Sequence, residues 1–269
     1  MRSSSQQTML DAFFGNLCGD GALTRGVSDR AFAKARSHLH VPALVGLNDQ
    51  LLAQADAAGL LARWQGLRLV AADASVLHPA IRRCKRTRGL AACDGRLFAL
   101  YLPGPELTLH AAVHSGCESE RAMLAEALDK LGPHDVLLLD RGYPAAWLIN
   151  LLQARGIRFI MRCDTTAGSW KMLRSFMRGQ LPESSITLSP PKPCDVIDWG
   201  CSAQAPTVRV VRQVSPSGAL RVLMTNLPPE QVPAEAFADL YHQRWRIEEA
   251  FKRLKCRMRL ESVSGLSQH

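Results

Sequence analysis

Residues 135–164, "DVLLLDRGYPAAWLINLLQARGIRFIMRCD", predict a strand, a helix and a second strand in close succession. "DVLLLDRGY" (135–143) is an apolar run of strand length that ends in a polar loop, and "IRFIMRCD" (157–164) has the same character. Between them, "PAAWLINLLQARG" (144–156) carries proline at its start and glycine at its end, which is typical of a helix. This unit gives the chain an α/β character.

The preceding residues extend the pattern. "LRLVAADASVL" (67–77) predicts a strand, and "RLFALYLPG" with "LTLHAAVHSG" predicts a hairpin that turns at Pro103-Gly104-Pro105. "SERAMLAEALDKLG" (119–132) predicts a helix closed by glycine. Three strands followed by alternating helices and strands predict a mixed sheet with helices on its faces, within residues 66–164.

Three further segments complete the chain. Residues 1–65 are predicted to form an N-terminal helical segment, with a Ser28/Asp29 cap signal before "AFAKARSHL". Residues 165–232 are interpreted as a β-rich insertion, because "TVRVVRQVSPSGALRVLMTNL" is typical of a hairpin. Residues 233–269 are predicted to contain one long helix, "AEAFADLYHQRWRIEEAFKRLKCRMRL", as the last part of the core.

The composition favours a polyanionic partner, most often nucleic acid, because the net charge is +9 and the pI is about 9.4. A basic enzyme without such a partner is the alternative. The sequence contains no run of about 18 apolar residues, so no membrane span is predicted. No signal peptide is recognised, so an intracellular protein is expected. The eight cysteines form no C-x-x-C pair and are interpreted as reduced structural thiols. His78, His110 and His114 lack zinc-ligand spacing and are interpreted as structural or incidental.

Three acidic residues stand where a site is expected. Asp73 and Asp140 each end an apolar strand, and ligand crevices form at the carboxyl ends of strands in α/β sheets. Either could instead be a capping aspartate. In the last helix, Tyr241, Arg244 and Glu248 lie along one edge of the buried face together with Lys255. The alternative is an amphipathic helix with ordinary surface ion pairs.

The same residues carry a resemblance to a known family. "Y-HQ-R-WRI-E-EAFKRL-K" matches Y-x(2)-R-x(3)-E-x(6)-K, the signature of bacterial DDE transposases of the insertion-sequence-4 group. "AADASVL" and "LLLDRGY" are similar to the first and second aspartate motifs of that family, and "VSDRAFAKARSHL" resembles its leading helical segment. The resemblance extends from about residue 20 to 262, and the order of elements is that of the ribonuclease H-like fold.

The resemblance implies a catalytic role for Asp73, Asp140 and Glu248 as ligands of two Mg²⁺ or Mn²⁺ ions. Two such ions can activate a nucleophile and stabilise the leaving oxygen in phosphodiester cleavage, and carboxylates are their preferred ligands. The residues expected to contact DNA phosphates or to support the site are Tyr241, Arg244, Lys255, Arg141 and Tyr143. Transposition would then require double-stranded DNA, as element ends and target, and a homodimer in a synaptic complex within the bacterial cytoplasm and nucleoid.

Other interpretations remain open. The sequence ends 14 residues after Lys255, where relatives usually continue, so a truncated, non-catalytic remnant that binds DNA or the full-length protein is one alternative. Another ribonuclease H-like nuclease and a carboxylate-pair sugar hydrolase are two more. "RRCKRTR" (82–88) is expected either to follow a DNA backbone or to form a solvated loop. Trp199 and Trp245 are expected to pack in the core or to stack on a displaced base.

Overall fold

The computed structural model describes residues 5–18, 26–78, 95–164, 170–214 and 220–257. The chain forms two compact units, residues 1–54 and 55–269. In the first unit, α1 (Gln6–Cys18) and α2 (Asp29–Ser37) precede the start of α3 (Val41–Ala57). The Ser28 side chain caps α2 by accepting a hydrogen bond from the Ala31 backbone N–H, so the predicted cap is confirmed.

The second unit is built on a mixed sheet of eight strands. Their order across the sheet is β3-β2-β1-β4-β5-β8-β7-β6. The central strands β1, β4 and β5 are parallel, and every other neighbouring pair is antiparallel. The strands are β1 (Arg68–Leu77), β2 (Gly95–Leu102), β3 (Leu107–Ser115), β4 (Asp135–Leu139), β5 (Arg158–Arg162), β6 (Glu183–Thr187), β7 (Thr207–Val214) and β8 (Leu220–Thr225).

Helices flank this sheet, so the predicted ribonuclease H-like mixed sheet is confirmed. The helices are α4 (Glu120–Glu126), α5 (Ala146–Ala154), α6 (Lys171–Arg178), α7 (Pro193–Trp199), α8 (Phe237–His242) and α9 (Trp245–Cys256), with short 3₁₀ turns at Leu128–Lys130 and Ala234–Ala236. The β4 strand is fully buried and is apolar after its first residue, Asp135, as expected for a central parallel strand. None of the described helices is both long and apolar enough to cross a membrane.

The C-terminal helices share one core with the sheet. Ala71 of β1, Leu138 of β4 and Ile160 of β5 lie in the same buried cluster as Phe237 of α8 and Phe251 of α9. Side chains alternate between the two faces of a strand, so these three strand positions define the face covered by α8 and α9. Helix α4 packs on β1 and β2, and α5 packs on β5.

Two helices are shorter than predicted. The helix expected over 119–132 ends at Glu126 and continues as the 3₁₀ turn, a common way for a helix to end. The single long helix expected after Pro233 is wrong, because α8 and α9 are separated at Gln243–Arg244. The backbone N–H of Arg244 donates to Tyr241, three residues back, at 3.1 Å, so the helix tightens there.

The region predicted as a β-rich insertion joins the main sheet. The β7–β8 hairpin is present, and β8 pairs with β5 in antiparallel fashion, so β6, β7 and β8 extend the sheet. Helices α6 and α7 lie in the same region. The limits of the insertion at 165 and 232, and the other segment boundaries, stay predictions.

Candidate active site

Asp73 lies within β1, and Asp140 directly follows the neighbouring parallel strand β4. Ala71 of β1 is in register with Leu138 of β4, and two further residues along each chain lead to the two aspartates. Adjacent strands lie about 4.8 Å apart, and residues two apart share a face of the sheet. Both aspartates are therefore expected to lie on the face of the sheet that α8 and α9 cover.

Glu248 reaches the same place from α9. It lies one helical turn after Arg244, whose Nη2 donates to Glu248 Oε1 at 2.5 Å. The other terminal nitrogen, Nη1, lies 3.7 Å from Asp73 Oδ2. The Arg244 side chain is only 4% exposed, so this guanidinium is a buried bridge between the first and third acids.

The charge on Arg244 is stabilised by all three acids. Burial works to lower the pKa of Arg244, yet this pKa is raised, because Tyr241, Asp140, Glu248 and Asp73 favour the charged form. The Nε atom of Arg244 is buried and has no hydrogen-bond partner among the described residues. The structure thus brings Asp73, Asp140 and Glu248 into electrostatic contact with one guanidinium.

Asp73 is the most perturbed of these acids. Burial raises the pKa of the Asp73 carboxyl to about 7, with Glu120 and Glu248 adding to the shift. Arg244 and the backbone N–H of Ala74, which donates to Asp73 Oδ1 at 2.9 Å, oppose it. A carboxyl that ionises near neutral pH is poised to exchange its proton for a metal ion.

The two tyrosines of the predicted site lie inside the protein. Tyr241 is 1% exposed, and its hydroxyl donates to the Leu139 carbonyl, directly before Asp140, at 3.2 Å. Tyr143 is fully buried, and its hydroxyl has no hydrogen-bond partner among the described residues. Burial raises the pKa of Tyr143 well above its usual value, and the negative charge of Asp73 adds to the shift.

The two remaining cations lie at the rim. Arg141 is exposed, and its backbone N–H donates to Asp140 Oδ1 at 2.6 Å, which fixes the rotamer of that acid. Lys255 is half-buried on α9 and donates from Nζ to the Val76 carbonyl of β1. Lys255 therefore lies against the strand that carries Asp73.

Sequence reasoning missed the first turn of α4. Glu120 lies 3.8 Å from Arg96 at the closest nitrogen–oxygen pair, and burial raises its pKa, with Asp140 adding to the shift. The next residue, Arg121, donates from Nε to the Gly142 carbonyl at 2.8 Å, which ties α4 to the loop after Asp140. The sequence predicted a helix from residue 119, but no local pattern indicated which loop its first turn would face.

A comparison with known families identifies the domain. A family model described as "Transposase DDE domain" matches residues 64–269, which is most of the chain and contains all three acids. The chain belongs to the transposase DDE domain family.

Relatives of this transposase domain are named as transposases, and each is similar to it over a short segment. A putative transposase InsL for insertion sequence element IS186A of Escherichia coli strain K12 is 48% identical over 42 residues. A transposase for insertion sequence element IS421 of Escherichia coli is also 48% identical over 42 residues. Each match covers 16% of this chain and 11% of the relative's length.

The donor atoms of this transposase domain fit divalent metal use, which membership of the DDE family implies. The three acids offer only carboxylate oxygens, and hard cations such as Mg²⁺ prefer oxygen ligands. One buried guanidinium faces three carboxylates, so it cannot neutralise all of them when they are ionised, and bound cations would neutralise the rest.

Other sequence features fall in different places. Residues 82–88 lie outside the described residues, so the basic "RRCKRTR" motif stays a prediction. Trp199 stacks on Trp147 with ring centroids 4.4 Å apart and planes 6° apart, consistent with packing. Trp245 is 53% exposed, so the packing expectation is wrong for this residue.

Proposed function

We propose that this chain cleaves DNA phosphodiester bonds and joins the freed 3′ end to target DNA, with Asp73, Asp140 and Glu248 as the catalytic metal ligands. The observation that carries the proposal is the convergence of the three acids on Arg244. Like charges that gather in a half-buried site repel one another, and a bound cation removes that repulsion. The DDE family match supports the same reaction class.

The proposed cofactor is a pair of Mg²⁺ or Mn²⁺ ions. When bound, two such ions lower the pKa of the attacking water or 3′-hydroxyl and stabilise the leaving oxygen. Asp73 and Asp140 would hold them from the sheet, and Glu248 from α9. The Arg141 N–H bond to Asp140 would keep that carboxylate pointing in one direction while metal and DNA bind.

Cations around the three acids would hold the DNA strand. Arg141 is exposed beside Asp140, and Lys255 lies against β1 beyond Asp73, so both are suited to phosphate oxygens. Arg244 would turn from the acids to a phosphate once metal ions neutralise them. Tyr241 and Tyr143 remain proposed DNA-binding residues, and their burial means that a contact would require a local opening.

The proposed partner is double-stranded DNA, as element ends and target, bound by a homodimer in a synaptic complex in the bacterial cytoplasm and nucleoid. The high positive charge of the chain favours such a polyanion. Light scattering of the protein with and without DNA that carries the element ends would test the dimer. A monomer-sized complex on paired ends would contradict it.

A nicking and strand-transfer assay tests the catalytic proposal. The purified chain is incubated with element-end duplex and Mg²⁺, with and without a chelator. We expect metal-dependent cutting by the wild type, none by Asp140→Asn, and normal cutting by Asp129→Asn, an exposed control. Cutting that survives Asp140→Asn would overturn the assignment. Tight DNA binding by a folded wild type that never cuts would favour the non-catalytic alternative.

A further inference from the structure

We propose that His114, Glu118 and Glu126 form a second divalent-metal site that takes a transition-metal ion such as Zn²⁺. His114 lies near the end of β3, Glu118 in the turn before α4, and Glu126 at the last residue of α4. One ligand atom from each residue lies within 4.8 Å of the other two. None of the three is among the acids assigned to DNA cleavage.

The distances suit a common ion. His114 Nδ1 lies 3.2 Å from Glu118 Oε2 and 3.8 Å from Glu126 Oε2. A tetrahedral zinc ion with bonds of about 2.0–2.2 Å holds its ligand atoms about 3.3–3.6 Å apart. Both separations lie close to that value and the two glutamate ligand atoms lie within 4.8 Å of each other, so small side-chain rotations would complete the site.

The charges leave a place for a cation. A neutral imidazole can donate its Nδ1–H to only one acceptor at a time, yet two carboxylates converge on that nitrogen. In the part of the chain that the structure describes, these glutamates form ion pairs only with His114. A metal ion bound to Nδ1 would neutralise both carboxylates and use the nitrogen lone pair.

The site is held firmly on one side and open on the other. The His114 side chain is 13% exposed, and its ring packs edge-on against Phe98 with centroids 6.3 Å apart. Glu126 is 60% exposed, so an ion and its waters can enter from solvent. Because one ligand comes from β3 and two flank α4, a bound ion would fix the position of α4, whose first turn carries Glu120.

The two metal sites differ in ligand chemistry. An imidazole ligand suits Zn²⁺ or Co²⁺, whereas a set of carboxylates alone suits Mg²⁺ or Mn²⁺. Saturating Mg²⁺ should therefore occupy the acids on β1, β4 and α9 and leave the histidine site to a transition metal. This difference allows the second site to be tested whether or not the chain cuts DNA.

The test is a Co²⁺ titration of the metal-stripped full chain in saturating Mg²⁺, followed by the visible absorption of the bound ion. We expect the same Co²⁺ band in the wild type and in Asp140→Asn, and displacement of the ion by Zn²⁺. His114→Gln should lose the band. Glu126→Gln, a change at an exposed side chain, should weaken Co²⁺ binding by about tenfold or more.

Circular dichroism would first establish that each variant is folded. The proposal is overturned if the wild type gives no Co²⁺ band, or if folded His114→Gln binds Co²⁺ with wild-type spectrum and affinity. It is also overturned if Asp140→Asn loses the band, since the ion would then belong to the three acids. Absence of DNA cutting would leave the Co²⁺ result unchanged, so the two proposals fail separately.

Discussion

Replacing Asp73 by asparagine should make the metal-free protein more stable at neutral and higher pH. Burial raises the pKa of Asp73 from an ordinary value of 3.8 to about 7, despite the nearby Arg244. The folded state therefore resists ionisation of this carboxyl, whereas the unfolded chain ionises freely. An acid with a raised pKa contributes stability below its unfolded value and loses it as the pH rises through its folded value.

The size of the effect follows from the shift. At about 1.36 kcal/mol per pKa unit, the ionised Asp73 costs the folded state on the order of 4 kcal/mol by about pH 8. At about pH 4 the cost falls below about 1 kcal/mol, because the carboxyl is protonated in the folded state and still partly protonated in the unfolded chain. Asparagine carries no charge at any pH, so Asp73→Asn should remove this dependence.

Urea unfolding in the presence of a chelator, at several pH values from about 4 to 8, measures the difference. Asp129→Asn is the matched control, because its side chain is 66% exposed and a surface substitution should change the free energy of unfolding by about 0.5 kcal/mol or less. Added Mg²⁺ should stabilise the wild type and reduce the difference in the free energy of unfolding between it and Asp73→Asn. The reasoning would be refuted if Asp73→Asn were no more stable than the wild type at about pH 8. It would also be refuted if the variant exceeded the wild type in stability by the same amount at about pH 4 as at about pH 8.

Three further predictions follow from other contacts. Asp135→Asn should lower the free energy of unfolding by about 3–5 kcal/mol, because Asp135 is 2% exposed and pairs with both Nε and Nη2 of Arg68. Urea unfolding measures this loss of stability, and a loss below about 1 kcal/mol would contradict the prediction. Glu120→Gln should lower the pKa of Asp73, since the charge of Glu120 helps to raise it; carboxyl titration by NMR would show an unchanged pKa if the two groups do not interact. Phe237→Ala should cost about 3–5 kcal/mol because this fully buried ring fills the core under α8, and thermal unfolding close to that of the wild type would argue against that packing.

Local patterns were sufficient for the order of elements between β1 and β5 and for the β7–β8 hairpin. The apolar runs of β4 and β5, the hairpin turn after β2 and the glycine after α5 each predicted the element that the structure has. Gly156 adopts a φ of 66°, a conformation that favours glycine and ends the helix. These features depend on neighbours within a few residues, which is why the sequence could predict them.

Sequence patterns failed where distant contacts decide the conformation. The expected long helix breaks before α9, and the tightened turn aligns Arg244 with Tyr241, leaving the guanidinium carbon 5.9 Å from the ring centroid. A helical wheel with constant pitch cannot anticipate that change. The burial of Tyr143 could not be predicted from local patterns either, because the residues around it come from segments far along the chain.

The sequence alone determined that two aspartates follow apolar runs of strand length, and that an arginine, a glutamate and a lysine recur at helical spacing. Only the tertiary structure decided that β1 and β4 are parallel neighbours in matching register, and that Arg244 lies buried between Asp73 and Glu248. It also decided that Glu120 of α4 interacts with Asp140, and that His114, Glu118 and Glu126 lie close to one another. Strand pairing and burial arise from contacts between segments tens of residues apart, and local periodicity carries no record of them.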